Sequence, residues 1–145
     1  MQHFEGERSF GMPPEGLWSR LRDAAFLAES VPEAIVAESP SRDQAVCSVQ
    51  PGFAFARGRL DVTLEVVEAQ EPSLVRYRIT SKGVGSSSSV EAALHIRPDG
   101  PGSTVRWSAD VQSLGGLLKM VPVGLIRGAA HKVIEDVWAG IAGRL

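Results

Sequence analysis

Few side chains in this sequence could do chemistry, and their spacing forms no catalytic or metal-binding set. The three histidines, His3, His95 and His131, show none of the HxH or HxxxH spacings that bring two imidazoles to one metal ion. The sequence contains no Gly-x-Ser-x-Gly turn, which presents the nucleophile of many hydrolases. Each histidine also falls on the polar face of its predicted strand or helix. We therefore expect no catalytic residues, no metal and no cofactor.

Two further candidates are a lone thiol and a run of hydroxyls. Cys47 alternates with Ala45 and Val49, the pattern of a strand residue that faces the core, so we interpret it as a small core residue and not as a nucleophile. The stretch Gly83–Ser89 (GVGSSSS) is small and polar. We interpret it as a solvated loop, because no strand–Gly–helix unit surrounds its glycines as a phosphate-binding loop requires.

Composition narrows the class of protein. The chain has 145 residues, 43% of them hydrophobic and 22% charged, which predicts one globular domain over residues 1–145. A net charge of -2 argues against a nucleic-acid-binding protein, because such proteins usually carry an excess of basic residues. One cysteine excludes an internal disulfide and fits a reducing compartment. The first residues lack a signal-peptide pattern, and no apolar run is long enough to cross a membrane. We expect a cytoplasmic protein.

Any functional site must be positioned by the predicted secondary structure, and the first predicted element is a strand. Residues 2–11 alternate with period two, and two short helices follow, one in PPEGLWSRLRD, whose prolines suit a first helical turn, and one over roughly Ala24–Ser30. Most of the later extended segments carry one apolar and one polar face, which is typical of an antiparallel sheet with one face in the core and the other exposed to solvent. These segments are Ala34–Glu38, Gln44–Val49, Phe53–Ala69, Leu74–Lys82, Val90–Ile96 and Thr104–Val111.

The stretch Leu114–Leu145 ends in a long helix. From Ile126 onward, apolar residues recur at i, i+3, i+4 and i+7 over about half of the helix circumference. So wide a face must cover a large apolar surface, which the sheet supplies. The predicted fold class is therefore α+β: a strongly bent antiparallel sheet of about seven strands wrapped around a long C-terminal helix, with two short helices after the first strand.

Such a sheet often leaves an unfilled space beneath its single helix, where a ligand would bind. Ala129 and Ala130 leave room that larger side chains would fill, and Tyr77 would offer a polar handle. We expect Leu64, Tyr77, Leu94 and Trp107 to face the helix, with Arg76, Arg78 and Arg106 on the opposite face. The residues expected to bind a ligand are Phe53, Phe55, Leu64, Tyr77, Leu94, Trp107, Met120, Val121, Leu125, Ile126, Ala129, Ala130 and Val133.

Four segments, in this order, carry a family resemblance. They are FEGERSFGMPPEGLWSRLRD near the start, then Ser30–Ala34, then GRLDVTLEVVEAQEP, and finally the Gly-rich end of the last strand leading into LIRGAAHKVIEDVWAGIA. Together they resemble the START-like helix-grip (SRPBCC) superfamily, which includes pollen allergen relatives, polyketide cyclases and lipid-transfer domains. Within it, the chain is most similar to the G-subunit family of carbon monoxide dehydrogenase. Glu33 departs from that family, which has glycine there.

The resemblance implies a non-enzymatic accessory protein of a molybdenum hydroxylase of carbon monoxide dehydrogenase type. Such a protein would bind a hydrophobic molecule of the quinone or lipid class. Its expected partners are that ligand, the hydroxylase subunits and, transiently, the inner face of a membrane; nucleic acid is not among them. Two alternatives stay open. One is a cyclase- or hydratase-like enzyme that uses the same cavity, and the other is an assembly factor without a ligand.

The segment Gly115–Leu125 has an unusual composition. Six large apolar residues surround the helix start with Lys119 as the single charge, and Pro122 should kink or restart the helix. Three interpretations remain open: a buried helix start, a homodimer contact, or a portal that touches a membrane while ligand passes.

Overall fold

Seven antiparallel strands form one sheet in the computed structural model, which describes residues 2–31, 34–37, 40–49, 59–83 and 85–145. The spatial order is β1-β7-β6-β5-β4-β3-β2, so the first strand pairs with the last and the remaining neighbours are sequential. This confirms the predicted fold class. The strands are β1 (His3–Phe10), β2 (Ile35–Val36), β3 (Gln44–Val49), β4 (Leu60–Gln70), β5 (Leu74–Gly83), β6 (Ser86–Asp99) and β7 (Gly102–Gly116).

In the described ranges, three α-helices accompany the sheet: α1 (Pro14–Leu21), α2 (Ala24–Ser30) and α3 (Val123–Arg144). Pro14 begins α1, where its fixed φ suits the first helical position. Asp23 caps α2, because its carboxylate accepts hydrogen bonds from the backbone N–H groups of Ala25 (3.0 Å) and Phe26 (3.3 Å). The two short helices bury apolar residues in the core: Leu17 and Leu21 of α1, and Leu27 and Ala28 of α2.

The inward face of each strand follows from the register. Leu64, Tyr77, Leu94 and Trp107 are at most 7% exposed, whereas Arg76, Arg78 and Arg106 lie exposed on the convex face. The predicted register is therefore correct. A β-bulge between Val66 and Glu68 shifts the pairing of β4 with β5 and adds to the bend. Residues 53–58, which the sequence places at the start of this strand, lie outside the described residues.

The prediction of a solvated loop over Gly83–Ser89 is wrong for Ser86–Ser89, which form the start of β6. These serines pair with β5 on one side and with β7 on the other, up to Gly116. Two flanking hydrogen-bonded strands outweigh the weak strand preference of serine, because that preference depends mostly on context. β7 also continues beyond the predicted end at Val111, because Ser113–Gly116 pair with the serines of β6.

The chain between β7 and α3 is short and has little helix. A single 3₁₀ turn covers Leu117–Met120, and α3 begins at Val123 directly after Pro122. Pro122 thus restarts the helix, as its lack of a backbone N–H leads one to expect. Leu118 is buried in this segment, while its neighbours face outward.

The C-terminal half of α3 is held closely against α2 and the sheet. Gly140 lies so near α2 that a methyl group there would come within 2.1 Å of the Ser30 carbonyl oxygen. Trp138 packs beside Phe10 and Trp107, with ring centroids 6.0 Å and 6.5 Å away. The Arg144 side chain donates to the Glu29 carboxylate at 2.8 Å. Among the described residues, no helix is both long and apolar enough to cross a membrane.

Candidate ligand cavity

The concave face of the sheet and α3 enclose an apolar cavity of about 240 Å³. Strands β3 to β7 form its floor, α3 covers it, and the end of α2 closes one side. The residues that line it are Leu27, Val31, Cys47, Val49, Val62, Leu64, Tyr77, Ile79, Ala92, Leu94, Trp107, Ser108, Ala109, Val133, Ile134, Val137, Trp138 and Ile141.

Two small residues of the floor, on β6 and β7, account for open space. Ala92 of β6 and Ala109 of β7 are directly paired neighbours, and Tyr77 of β5 continues the same row. Short methyl side chains in adjacent strands cannot reach the helix above them, so the volume beneath α3 stays unfilled. The sequence predicts that Ala129 and Ala130 of α3 provide this room, but in the structure neither of them lines the cavity.

Tyr77 contributes its ring to the cavity wall but not a free hydroxyl. Its O–H donates to the Leu21 backbone carbonyl at 2.7 Å, which ties β5 to the end of α1. Burial raises the pKa of Tyr77 far above its ordinary value, so the phenol stays neutral. The predicted role of Tyr77 as a polar handle for a ligand is therefore wrong, because the hydroxyl is already used within the fold.

Trp107 is the side chain of this wall with an unpaired donor. Its Nε1–H is buried and has no hydrogen-bond partner among the described residues. The indole lies over Gly6 of β1, where a methyl group would approach the ring to 2.9 Å. Glycine at this position lets the large ring lie flat across the sheet edge, beside Trp138.

The described part of the cavity wall has few titratable side chains. Cys47 and Tyr77 are its only titratable residues in the part of the chain that the structure describes. Burial raises the pKa of the Cys47 thiol, which keeps it protonated and weakly nucleophilic. Cys47 is 1% exposed, which agrees with its interpretation as a core residue; the alternation pattern did not show that it also lines the cavity.

The structure brings part of the predicted binding set together. Leu64, Tyr77, Leu94, Trp107 and Val133 all line the cavity, and that they contact a ligand stays a prediction. The other predicted residues lie elsewhere: Ile126 is buried, Ala129, Ala130 and Val121 are half-buried, and Met120 and Leu125 are exposed. Phe53 and Phe55 lie outside the described residues.

Several lining residues were not in the predicted set, although a signal existed for most of them. Val62, Ile79 and Ala92 share the alternation of the inward strand faces, and Ile134, Val137 and Ile141 belong to the apolar face of the last helix. Leu27 and Val31 had no such signal. Their position depends on how α2 docks against β3.

The histidines lie away from the cavity on exposed positions. His3 hydrogen-bonds through its two ring nitrogens with the carboxylates of Asp110 and Glu5, which raise the pKa of His3. His95 and His131 face solvent on β6 and α3. Within the described ranges, no group of three or more His, Cys, Asp or Glu side chains could hold a metal ion.

A bent antiparallel sheet that grips one long helix over an apolar cavity defines the helix-grip class of ligand-binding domains. Solved structures share this fold. A conserved protein from Geobacillus kaustophilus superposes with a TM-score of 0.83 at 18% identity, over 99% of this chain and 94% of that chain. A START superfamily protein from Mycobacterium smegmatis superposes with a TM-score of 0.68 at 15% identity, over 98% and 95% of the two chains.

The family follows from the sequence itself. The family model described as polyketide cyclase / dehydrase and lipid transport matches residues 1–145, so the chain belongs to that family. No curated protein matches the chain. The comparisons therefore establish the superfamily and the fold, and the narrower resemblance to the G-subunit family of carbon monoxide dehydrogenase is not among their findings.

Proposed function

We propose that this protein binds a hydrophobic small molecule in the cavity beneath α3 and carries it without catalysing a reaction. The observation that supports this most directly is the composition of the cavity wall. Its side chains are almost all aliphatic or aromatic, and its two titratable groups are a protonated thiol and a phenol already bonded to the Leu21 carbonyl. Such a wall can desolvate an apolar molecule but cannot move protons.

The volume and the wall chemistry narrow the ligand to a quinone or lipid class. About 240 Å³ is slightly below the usual range of roughly 300–1,000 Å³ for small-molecule pockets. A ring system or a short length of acyl or isoprenoid chain fills this space. The remainder of a longer molecule extends past Val133, which lines the cavity and is 51% exposed.

The more specific role is that of an accessory protein to a molybdenum hydroxylase of carbon monoxide dehydrogenase type. This rests on the ordered sequence segments from FEGERSFGMPPEGLWSRLRD to LIRGAAHKVIEDVWAGIA. In this role the protein holds a quinone for the hydroxylase, in the cytoplasm or at the inner membrane face. The partner is tested by asking whether purified hydroxylase with its substrate reduces quinone that is bound to this protein.

Intrinsic fluorescence provides a direct binding assay. Two of the three tryptophans, Trp107 and Trp138, line the cavity, whereas Trp18 donates its N–H to the Leu74 carbonyl and does not. Titrating the purified protein with a short-chain quinone should quench the cavity tryptophans. Native mass spectrometry after organic extraction and reloading should show one bound molecule per chain. A wild-type protein that binds neither quinones nor lipids overturns the proposal.

A matched pair of substitutions locates the binding site. Ala92→Phe places a ring in the centre of the cavity and should weaken quinone binding at least tenfold, about 1.4 kcal/mol. Ala139→Phe makes the same change on the exposed face of α3 and should leave binding within about twofold. Because Ala92→Phe could also unfold the protein, Ala109→Phe is a second cavity variant, and binding is expressed per folded molecule. Unchanged binding in both cavity variants would place the site elsewhere.

A further inference from the structure

The segment Leu117–Leu125, here called the tip, exposes more large apolar surface than any other described segment of comparable length. Met120 is 82% exposed, Val123 63%, Leu125 62% and Leu117 42%. Leu118 alone among the tip's large apolar residues is fully buried and anchors the 3₁₀ turn to the sheet. A contiguous apolar patch of this kind marks a surface that another phase or molecule covers.

The charges that flank the tip in the sequence are of one sign. Between Asp110 and Glu135 the sequence has no acidic residue, but it carries Lys119, Arg127 and Lys132, whereas the whole chain has a net charge of -2. Lys119 lies within the tip and is exposed. Further along α3, Arg127 lies over the Phe4 ring and Lys132 pairs with Asp136 at 2.7 Å. The segment that carries the apolar patch is therefore basic in an otherwise slightly acidic protein, and Lys119 is the cation within the patch itself.

An apolar stripe leads from the tip to the cavity. Leu125, Ala129 and Val133 follow one another at intervals of four residues, so they lie along one flank of α3. Leu125 is 62% exposed, Ala129 is half-buried, and Val133 both reaches solvent and lines the cavity. The stripe thus joins the exposed apolar end of the molecule to the space beneath the helix.

We propose that the tip docks on the surface of an anionic lipid bilayer, with its apolar side chains in the interface and its cations against lipid phosphates. Short apolar segments with flanking Lys and Arg bind such surfaces through both effects together. A second copy of the chain is the less favourable occupant, because a symmetric contact would bring Lys119 of one copy towards Lys119 of the other. The stripe then gives a hydrophobic ligand a path from the bilayer to the cavity. This path, unlike the docking itself, rests on the proposed function.

Vesicle flotation tests the docking surface. The ligand-free protein is mixed with vesicles of phosphatidylcholine alone or of phosphatidylcholine with about 30 mol% anionic phosphatidylglycerol, whose surface potential attracts basic segments. We expect binding to the anionic vesicles and at least fivefold weaker binding to the neutral ones. Raising the salt concentration from about 0.1 M to about 0.5 M should weaken anionic binding several-fold, because screening shortens the reach of Lys119 and Arg127.

Substitutions in the tip separate its two contributions. Met120→Ser together with Leu125→Ser should lower the vesicle partition coefficient at least tenfold by removing the apolar part. Lys119→Glu should lower it at least fivefold on anionic vesicles and hardly at all on neutral ones. The matched controls lie elsewhere on the sheet: Val67→Ser removes an apolar side chain that is 44% exposed at the β4 bulge, and Arg97→Glu reverses another exposed cation at the far end of β6. Neither control should change binding by more than about twofold.

The docking inference and the proposed function fail separately. Wild-type protein that binds quinone in solution but does not float with anionic vesicles overturns the docking inference alone. Protein that floats but binds no apolar ligand overturns the proposed function alone. If light scattering finds a dimer that Met120→Ser with Leu125→Ser converts to a monomer, the tip is an interface between copies, and docking on a bilayer is refuted.

Discussion

Replacing Gly140 by alanine should destabilise this protein, whereas the same replacement at Gly128 in the same helix should stabilise it. Both residues lie in α3, and alanine is favoured over glycine in a helix interior by about 1 kcal/mol. At Gly128 an added methyl group meets no atom within 4 Å, so this gain is the whole effect. We expect Gly128→Ala to raise the midpoint of thermal unfolding by about 2–4 °C.

At Gly140 a methyl group would lie 2.1 Å from the Ser30 carbonyl oxygen and 3.2 Å from its carbonyl carbon. Both atoms belong to the backbone at the end of α2, so no side chain can rotate away. Overpacking costs about 1–3 kcal/mol, and a backbone contact this short belongs at the upper end of that range. After subtracting the gain of about 1 kcal/mol in helix propensity, Gly140→Ala should lose about 2 kcal/mol, or about 4–8 °C.

Thermal unfolding followed by circular dichroism, together with urea titration, measures both variants. The difference between them should be about 3 kcal/mol, the sum of a gain of about 1 and a loss of about 2. The two glycines have the same propensity term, so the difference reports the contact between α3 and α2. Equal stabilisation in both variants would mean that α3 does not approach Ser30 closely. The position of α3 over the cavity, as described above, would then be wrong.

Two further predictions concern groups that position the site. Tyr77→Phe removes the donor to the buried Leu21 carbonyl and should cost about 1–3 kcal/mol of unfolding free energy, measured by urea titration; a loss below about 0.3 kcal/mol would mean that the bond contributes nothing. Hydrogen bonds to Asp110 and then to Glu5 raise the pKa of His3. Protonated His3 therefore stabilises the folded protein fully at pH values below the unfolded-state pKa of about 6.5, and this stabilisation is lost as the pH rises through the higher folded-state pKa. The difference in melting temperature between wild type and His3→Gln should therefore shrink from pH 5 to pH 9, and a difference that grows with pH would contradict this ion-pair assignment.

The local patterns of this chain determine most of its elements. Period-two alternation placed Leu64, Tyr77, Leu94 and Trp107 on one face of the sheet, and the structure confirms that they are buried there. The apolar face of the last helix and a helix start at the Pro13–Pro14 pair follow equally from spacing and local sterics. These features are predictable because each depends on neighbours a few residues away along the chain.

Tertiary structure alone decides where the empty space lies. Ala92 and Ala109 are 17 residues apart in sequence, and only the pairing of β6 with β7 makes them adjacent beneath α3. The same pairing turned the serine run into a strand. Likewise, the Tyr77 hydroxyl is unavailable to a ligand because α1 brings the Leu21 carbonyl to it. A cavity is the volume that side chains from several distant segments fail to fill, so no local pattern can specify it.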